Sequence, residues 1–208
     1  MEIINIILLA MAAFLLGSFP FSLWIGYLFL KKDVRNYGDG NPGATNVFRA
    51  GGRFTGILAV LLDVCKGIPF VYLAHAIFRF PATAVAVIAI STIAGHSFSP
   101  LLRFKGGKSV AITFGALIGL LPYSIMIIPF TAFMCLGAFF ITDDAWAIMV
   151  APAGSIIYLV ATGADSWQLL LMVGILLLLI IKHRRELNSI PNLKIRPVGW
   201  VKGLRYKI

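Results

Sequence analysis

Apolar residues run through this chain in long stretches, and almost every polar residue falls between them. The stretches cover residues 3–30, 54–78, 81–95, 109–121, 123–141, 145–162 and 166–182. Crossing the hydrocarbon core takes roughly 20 apolar residues, fewer where a segment is buried in protein rather than in lipid. The pattern therefore predicts an all-α, polytopic membrane protein of about seven transmembrane helices, several of them short, with re-entrant or partly embedded loops. Helix breakers fall between the runs: Gly51-Gly52, Pro81, Pro122, Asp143-Asp144 and Gly163. With no internal repeat, soluble domain or low-complexity linker, residues 1–208 read as one membrane domain.

Composition agrees with this reading. The 208 residues are 60% hydrophobic and only 12% charged, with a mean hydropathy of +0.93, far outside the range of soluble domains. Eighteen Lys and Arg against eight Asp and Glu would suggest nucleic acid in a soluble protein, but here they flank apolar runs. Lys31, Lys32, Arg35, Arg49 and Arg53 follow the first run, Arg103, Lys105 and Lys108 the third, and Lys182, Arg184 and Arg185 the seventh. Seven crossings put these clusters on one side, which the positive-inside rule makes cytoplasmic. The expectation is a multi-pass protein of the plasma (inner) membrane, N-terminus outside and C-terminus inside, with residues 183–208 as a basic tail on anionic lipid. Glu2 stands where a signal peptide would be positive, so the first run reads as a retained helix. Cys65 and Cys135 have no metal-ligand spacing and read as apolar filler.

The candidate chemistry lies in the loops. RFKGGKSVAITFG, residues 103–115, contains a Gly-Lys-Ser that resembles the end of a nucleotide-binding loop. The glycine such a loop requires five positions before Gly107 is Leu102, and the preceding segment is a helix rather than a strand. What remains is an anion turn: Gly106 and Gly107 let backbone N–H groups approach closely, Lys105 and Lys108 add charge, and Ser109 can cap the next helix. The same turn could instead anchor the helix to lipid headgroups. The first loop, GDGNPGATNVFRAGG, is a second polar turn, with Asn41, Thr45 and Asn46 and the planar guanidinium of Arg49. His183, among Lys182, Arg184 and Arg185, faces headgroups, binds an anion or moves a proton. Asp63 and Lys66, three residues apart in the second run, can pair on one helix face and read as structure.

At these residues the chain resembles a family of bacterial membrane acyltransferases that use acyl phosphate to acylate glycerol 3-phosphate. The likeness runs through GSFPFSLWIG in the first helix, DVRNYGDGNPGATNVFRAGG in the first loop, LLDVCKG in the second helix, GHSFSPLLRFKGGKSVA after the third, and KHRREL at the end of the seventh. The resemblance implies a seven-helix fold, a cytoplasmic-facing site, no metal or nucleotide cofactor, and attack of the glycerol 3-phosphate hydroxyl on acyl phosphate to give lysophosphatidate and phosphate. It implies binding roles for Asn41, Thr45, Asn46, His96, Gly106, Gly107 and Ser109, and catalytic roles for Arg49, Lys108 and His183. The implied partners are acyl phosphate, glycerol 3-phosphate or a related polyol phosphate, and membrane lipids, not nucleic acid.

The chain departs from the family's usual pattern at several places, among them Ser189 where a later Arg is usual and the absence of a closing Gly-x-Glu. Asp39 stands where Ser usually precedes Gly-Asn, and its carboxylate would repel a phosphate unless a Lys or Arg neutralises it. Glu186 replaces Asn three residues after His183. ITDDAW, residues 141–146, replaces a stretch that usually resembles Arg-Tyr-x-Ser, with Asp143 and Asp144 reading as helix N-caps. The other class of function compatible with this pattern is a non-catalytic or transport-type membrane protein that binds phosphorylated small molecules.

Overall fold

The computed structural model describes residues 1–121 and 124–193; Pro122 and the basic tail from residue 194 onward lie outside the described residues. Within them the chain forms ten α-helices: α1 (Glu2–Gly17), α2 (Phe21–Ile25), α3 (Ala44–Arg49), α4 (Arg53–Cys65), α5 (Pro69–Tyr72), α6 (Ala82–Ser97), α7 (Val110–Ile118), α8 (Ile127–Phe140), α9 (Asp144–Ala161) and α10 (Ser166–His183). Five stretches are long and apolar enough to cross a membrane: Glu2–Leu30, Arg53–Ile77, Ala82–Leu102, Asp144–Ala161 and Ser166–His183. The runs expected at 109–121 and 123–141 yield α7 of nine residues and α8 of 14. By length and composition five stretches qualify, and α7 and α8 fall below that measure.

Two of the long stretches are interrupted, for reasons visible in their residues. Pro20 cannot donate a backbone hydrogen bond, so α1 ends before it and the chain resumes as α2 and a π-helical turn, Gly26–Leu30. Pro69 similarly separates α4 from α5, which runs on as a second π-turn, Leu73–Ile77.

Glycines set how closely the helices approach, as expected where packing rather than water exclusion drives association. A methyl group at Gly17 would strike the Thr92 carbonyl, and one at Gly95 the Phe14 carbonyl, so α1 and α6 cross backbone to backbone. Gly67 after α4 and Gly115 in α7 meet in the same reciprocal way. Gly137 of α8 lies against Ala147 of α9, and Gly174 of α10 against Ile90 of α6. The interior between them is filled by Ile88, Ile93, Ile112, Phe130, Leu171 and Ile175. Outward positions are equally apolar, among them Ile3, Leu8, Phe54, Ile128 and Ile157, which marks surfaces facing lipid.

The paired charges expected in the second span are present and fully enclosed. Lys66 Nζ lies 2.7 Å from Asp63 Oδ1, with side chains 1% and 3% exposed. Ser22 donates to Asp63 Oδ2 at 2.6 Å. Lys66 also donates to the Phe19 carbonyl at 2.7 Å, which accepts the Phe21 N–H as well, just where α1 stops before Pro20. Lys66→Met leaves the buried Asp63 carboxylate without its counter-charge, a change expected to cost about 3–5 kcal/mol. Thermal unfolding in detergent tests this: a clearly lowered midpoint is expected, and an unchanged one would contradict the bracing role.

Candidate functional site

The first loop is held by its own polar residues. Gly38, Gly40 and Gly51 have φ of 58°, 73° and 110°, left-handed conformations that a side chain resists. Between them the chain forms α3, so the polar turn expected here contains a short helix. Asn46, buried at its start, donates to Asp39 Oδ1 at 2.9 Å and to the Asn41 carbonyl at 2.8 Å. Asn46 Oδ1 accepts from Arg49 Nη1 at 3.2 Å, and both groups pack against the bare Cα of Gly38. Asn41 Oδ1 is buried with no hydrogen-bond partner among the described residues. Thr45 is exposed.

The second loop leaves the end of α6 and folds back on it. Arg103, Phe104 and Ser109 all have positive φ, a strained path for residues with side chains. The N–H of Gly106 donates to the Ser97 carbonyl at 3.2 Å, and that of Gly107 to the His96 carbonyl at 3.1 Å. These glycines therefore do not aim their amides at an anion. Their role is spatial: a methyl group at Gly106 would enter the His96 carbonyl, and one at Gly107 the His96 imidazole. His96, buried, has Nδ1 3.9 Å from Asp63 Oδ1. Ser109 occupies the residue before α7, but its hydroxyl does not cap the helix. Held at positive φ, it bonds the Ser97 hydroxyl instead.

Lys108 joins the two loops. Its ammonium lies 2.7 Å from Asp39 Oδ2 and 2.9 Å from Asp144 Oδ2. Asp39, the departure expected to repel a phosphate, is thus neutralised by a lysine. Burial alone would raise its pKa, but hydrogen bonds from Lys108, the Asn41 N–H and Asn46 outweigh it and hold the carboxyl at about 2. Burial likewise works against the Lys108 charge, yet the two carboxylates raise its pKa above the usual lysine value.

Asp143 and Asp144 differ from the N-cap expectation. Asp143 occupies the N-cap position of α9 without capping it, because its carboxylate accepts from Asn192 N at 2.7 Å. Asp144 lies in the first turn and turns to Lys108. The segment after α10 closes over this corner: Thr142 N donates to the Asn192 carbonyl at 2.9 Å, and Trp146 Nε1 to the Ser189 carbonyl at 2.8 Å.

His183 ends α10, buried, with Nδ1 3.1 Å from Glu186 Oε2 and Nε2 buried without a partner among the described residues. The preceding Lys182 donates to the Ser97 carbonyl at 3.0 Å and the Gly106 carbonyl at 2.7 Å. Sequence reasoning placed Lys182 only in a basic cluster; its one signal was adjacency to His183. The site residues of the second loop, Lys108 included, are thereby bridged to the first loop by Asp39 and to the end of α10 by Lys182. Two grooves of about 370 and 380 Å³ run along α1, lined mainly by apolar side chains such as Leu8 and Phe14, and neither contains a residue of this cluster.

Comparison with known proteins places this arrangement in context. The glycerol-3-phosphate acyltransferase family profile matches residues 7–192. A glycerol-3-phosphate acyltransferase of Lactococcus lactis subsp. lactis is 32% identical over 195 residues, 91% of each chain, and one of Streptococcus gordonii is 31% identical over 203 residues, 95% of this chain and 94% of that one. Two crystal structures of PlsY (YgiH), an integral membrane glycerol 3-phosphate acyltransferase, superpose on the fold. Its glycerol 3-phosphate form gives a TM-score of 0.73 at 26% identity over 98% of this chain and 96% of that one. Its lysophosphatidic acid form gives 0.74 at 27% identity over 96% and 93%.

The contacts of the second loop predict its protease sensitivity. Gly106→Ala forces a methyl group into the His96 carbonyl and Lys182→Met removes the hydrogen bond to the Gly106 carbonyl, so tryptic cleavage at Arg103, Lys105 and Lys108 should accelerate in folded, detergent-purified protein. Cleavage at the parental rate would mean that these contacts do not hold the loop.

Proposed function

The chain belongs to the glycerol-3-phosphate acyltransferase family, and from that premise we propose that it transfers an acyl group from acyl phosphate to the primary hydroxyl of glycerol 3-phosphate at the cytoplasmic leaflet. The observation that carries this reading is the convergence of Asn46, Arg49 and Lys108, from two loops far apart in sequence, on the single carboxylate of Asp39 and its neighbours. Acyl phosphate is already activated, so the protein has mainly to align two anionic substrates and stabilise charge on the departing phosphate.

In this reading Lys108 and Arg49 bind phosphate oxygens. The N–H groups in the first turn of α7 and the carboxamides of Asn41 and Asn46 complete the polar surface, with Thr45 at its rim. Gly106, Gly107, His96 and Ser109 set the loop's path. Glu186 orients His183 through Nδ1, leaving Nε2 to accept a hydrogen bond from the attacking hydroxyl. The new ester C–O bond forms as the acyl carbon to phosphate oxygen bond breaks. The hydroxyl proton passes to the released phosphate, giving lysophosphatidate and inorganic phosphate. Residues 1–208 act as one membrane domain, with the N-terminus outside and the C-terminus cytoplasmic; residues 183–192, expected as the start of a lipid-bound tail, pack instead against the start of α9 through Trp146 and Asp143.

The test is phosphate release by detergent-purified protein given palmitoyl phosphate, with and without glycerol 3-phosphate, and mass spectrometry of the product. Release that depends on glycerol 3-phosphate and yields lysophosphatidate is expected. Arg49→Ala and Lys108→Ala should each lower kcat/KM by about 10²–10³ while leaving the protein folded. A folded protein that forms no acyl product would overturn the enzymatic reading and favour a binding or transport role for the phosphate loops.

A further inference from the structure

Lys108 is engaged by two carboxylates that are held very differently. Asp39 accepts three hydrogen bonds, from Lys108, the Asn41 N–H and Asn46 Nδ2, and its side chain is 38% exposed. Asp144 is 61% exposed and, among the described residues, its carboxylate bonds Lys108 alone. Moving Asp39 away would break three bonds and open the first loop. Moving Asp144 away breaks one, and the carboxylate stays in the first turn of α9, where the helix dipole favours it without Lys108. A phosphate dianion reaching Lys108 beside both carboxylates would meet like charge on two sides.

We propose that Asp144 is an affinity-determining residue of the phosphate site: its carboxylate occupies Lys108 in the ligand-free protein, and a phosphate monoester binds by displacing it while Asp39 remains. The inference rests on the reading of Lys108 as a phosphate ligand given above. Asp144 thereby weakens phosphate binding and sets a higher half-saturating concentration than Lys108 and Arg49 alone would give. The ligand chemistry is shared by glycerol 3-phosphate and acyl phosphate, so either substrate could be the displacing group.

The first measurement is the thermal stabilisation of detergent-purified protein by inorganic phosphate at constant ionic strength. Asp144→Asn should reach half-maximal stabilisation at a phosphate concentration about three- to fivefold lower than the parent. Asp144→Glu should match the parent, and Lys108→Met should not respond. Asp144→Ser removes the same charge and serves if Asp144→Asn folds poorly. Equal midpoints for the parent and the neutral variants, with Lys108→Met unresponsive, overturn the role of Asp144 and leave the phosphate reading standing. A full response from Lys108→Met overturns both. In turnover, KM for glycerol 3-phosphate and for palmitoyl phosphate are measured separately with Asp144→Asn. The KM that falls by the same factor identifies the displacing substrate, and two unchanged KM values overturn the proposal.

Discussion

A helix that stops inside a bilayer leaves carbonyl groups where water does not reach, and much of this fold follows from closing such ends internally. Two lysines do so on the functional side. Lys66 donates to the Phe19 carbonyl where Pro20 interrupts the first span, and Asp63 balances its charge. Lys182 donates to the Ser97 carbonyl at the end of α6 and to Gly106 in the loop that follows. Each therefore satisfies a broken backbone and ties it to a distant helix. Charges that would be costly in lipid become the means by which interrupted segments are positioned.

Close packing supplies the rest of the frame. The reciprocal contacts of Gly17 and Gly95 bring α1 and α6 together at backbone distance, and those of Gly67 and Gly115 do the same for α4 and α7. These crossings deliver the end of α6 and the start of α7 to one place, with the GGK turn between them. His96 fills the space that Gly106 and Gly107 leave open, which places its imidazole between the loop and the Asp63–Lys66 pair. The glycines serve contact with protein rather than with an anion, because their N–H groups already terminate α6.

The acidic departures from the family pattern acquire a physical meaning in this setting. Asp39 is not an isolated negative charge in an anion site, since Lys108 and Asn46 hold it and make it a link between the two loops. Asp144 adds a second carboxylate to the same ammonium. Glu186 stands beside His183 Nδ1, on the side of the ring away from the buried Nε2. Acidic residues thus stand beside the basic groups of the site, and the local charge is more nearly balanced than the basic loops indicate.

Apolar run length and flanking charge are local properties, so the sequence alone determined an all-helical membrane protein, the positions of its loops, the pairing of Asp63 with Lys66 three residues on, and the family. GGK, the GDGNPG loop and His183 were legible as candidate chemistry for the same reason, each being a short motif. Helix lengths were less legible: the apolar runs at 109–121 and 123–141 yield helices of nine and 14 residues, shorter than the runs themselves. What only the tertiary structure decided are contacts between distant residues. These include Lys108 with Asp144, 36 positions apart, Lys182 with Gly106, 76 apart, the Ser109 hydroxyl turning to Ser97 rather than capping α7, and the loss of the glycine amides to α6. A donor's partner is set by which helices cross and how closely, and that depends on the packing of the whole bundle rather than on any residue's neighbours in sequence.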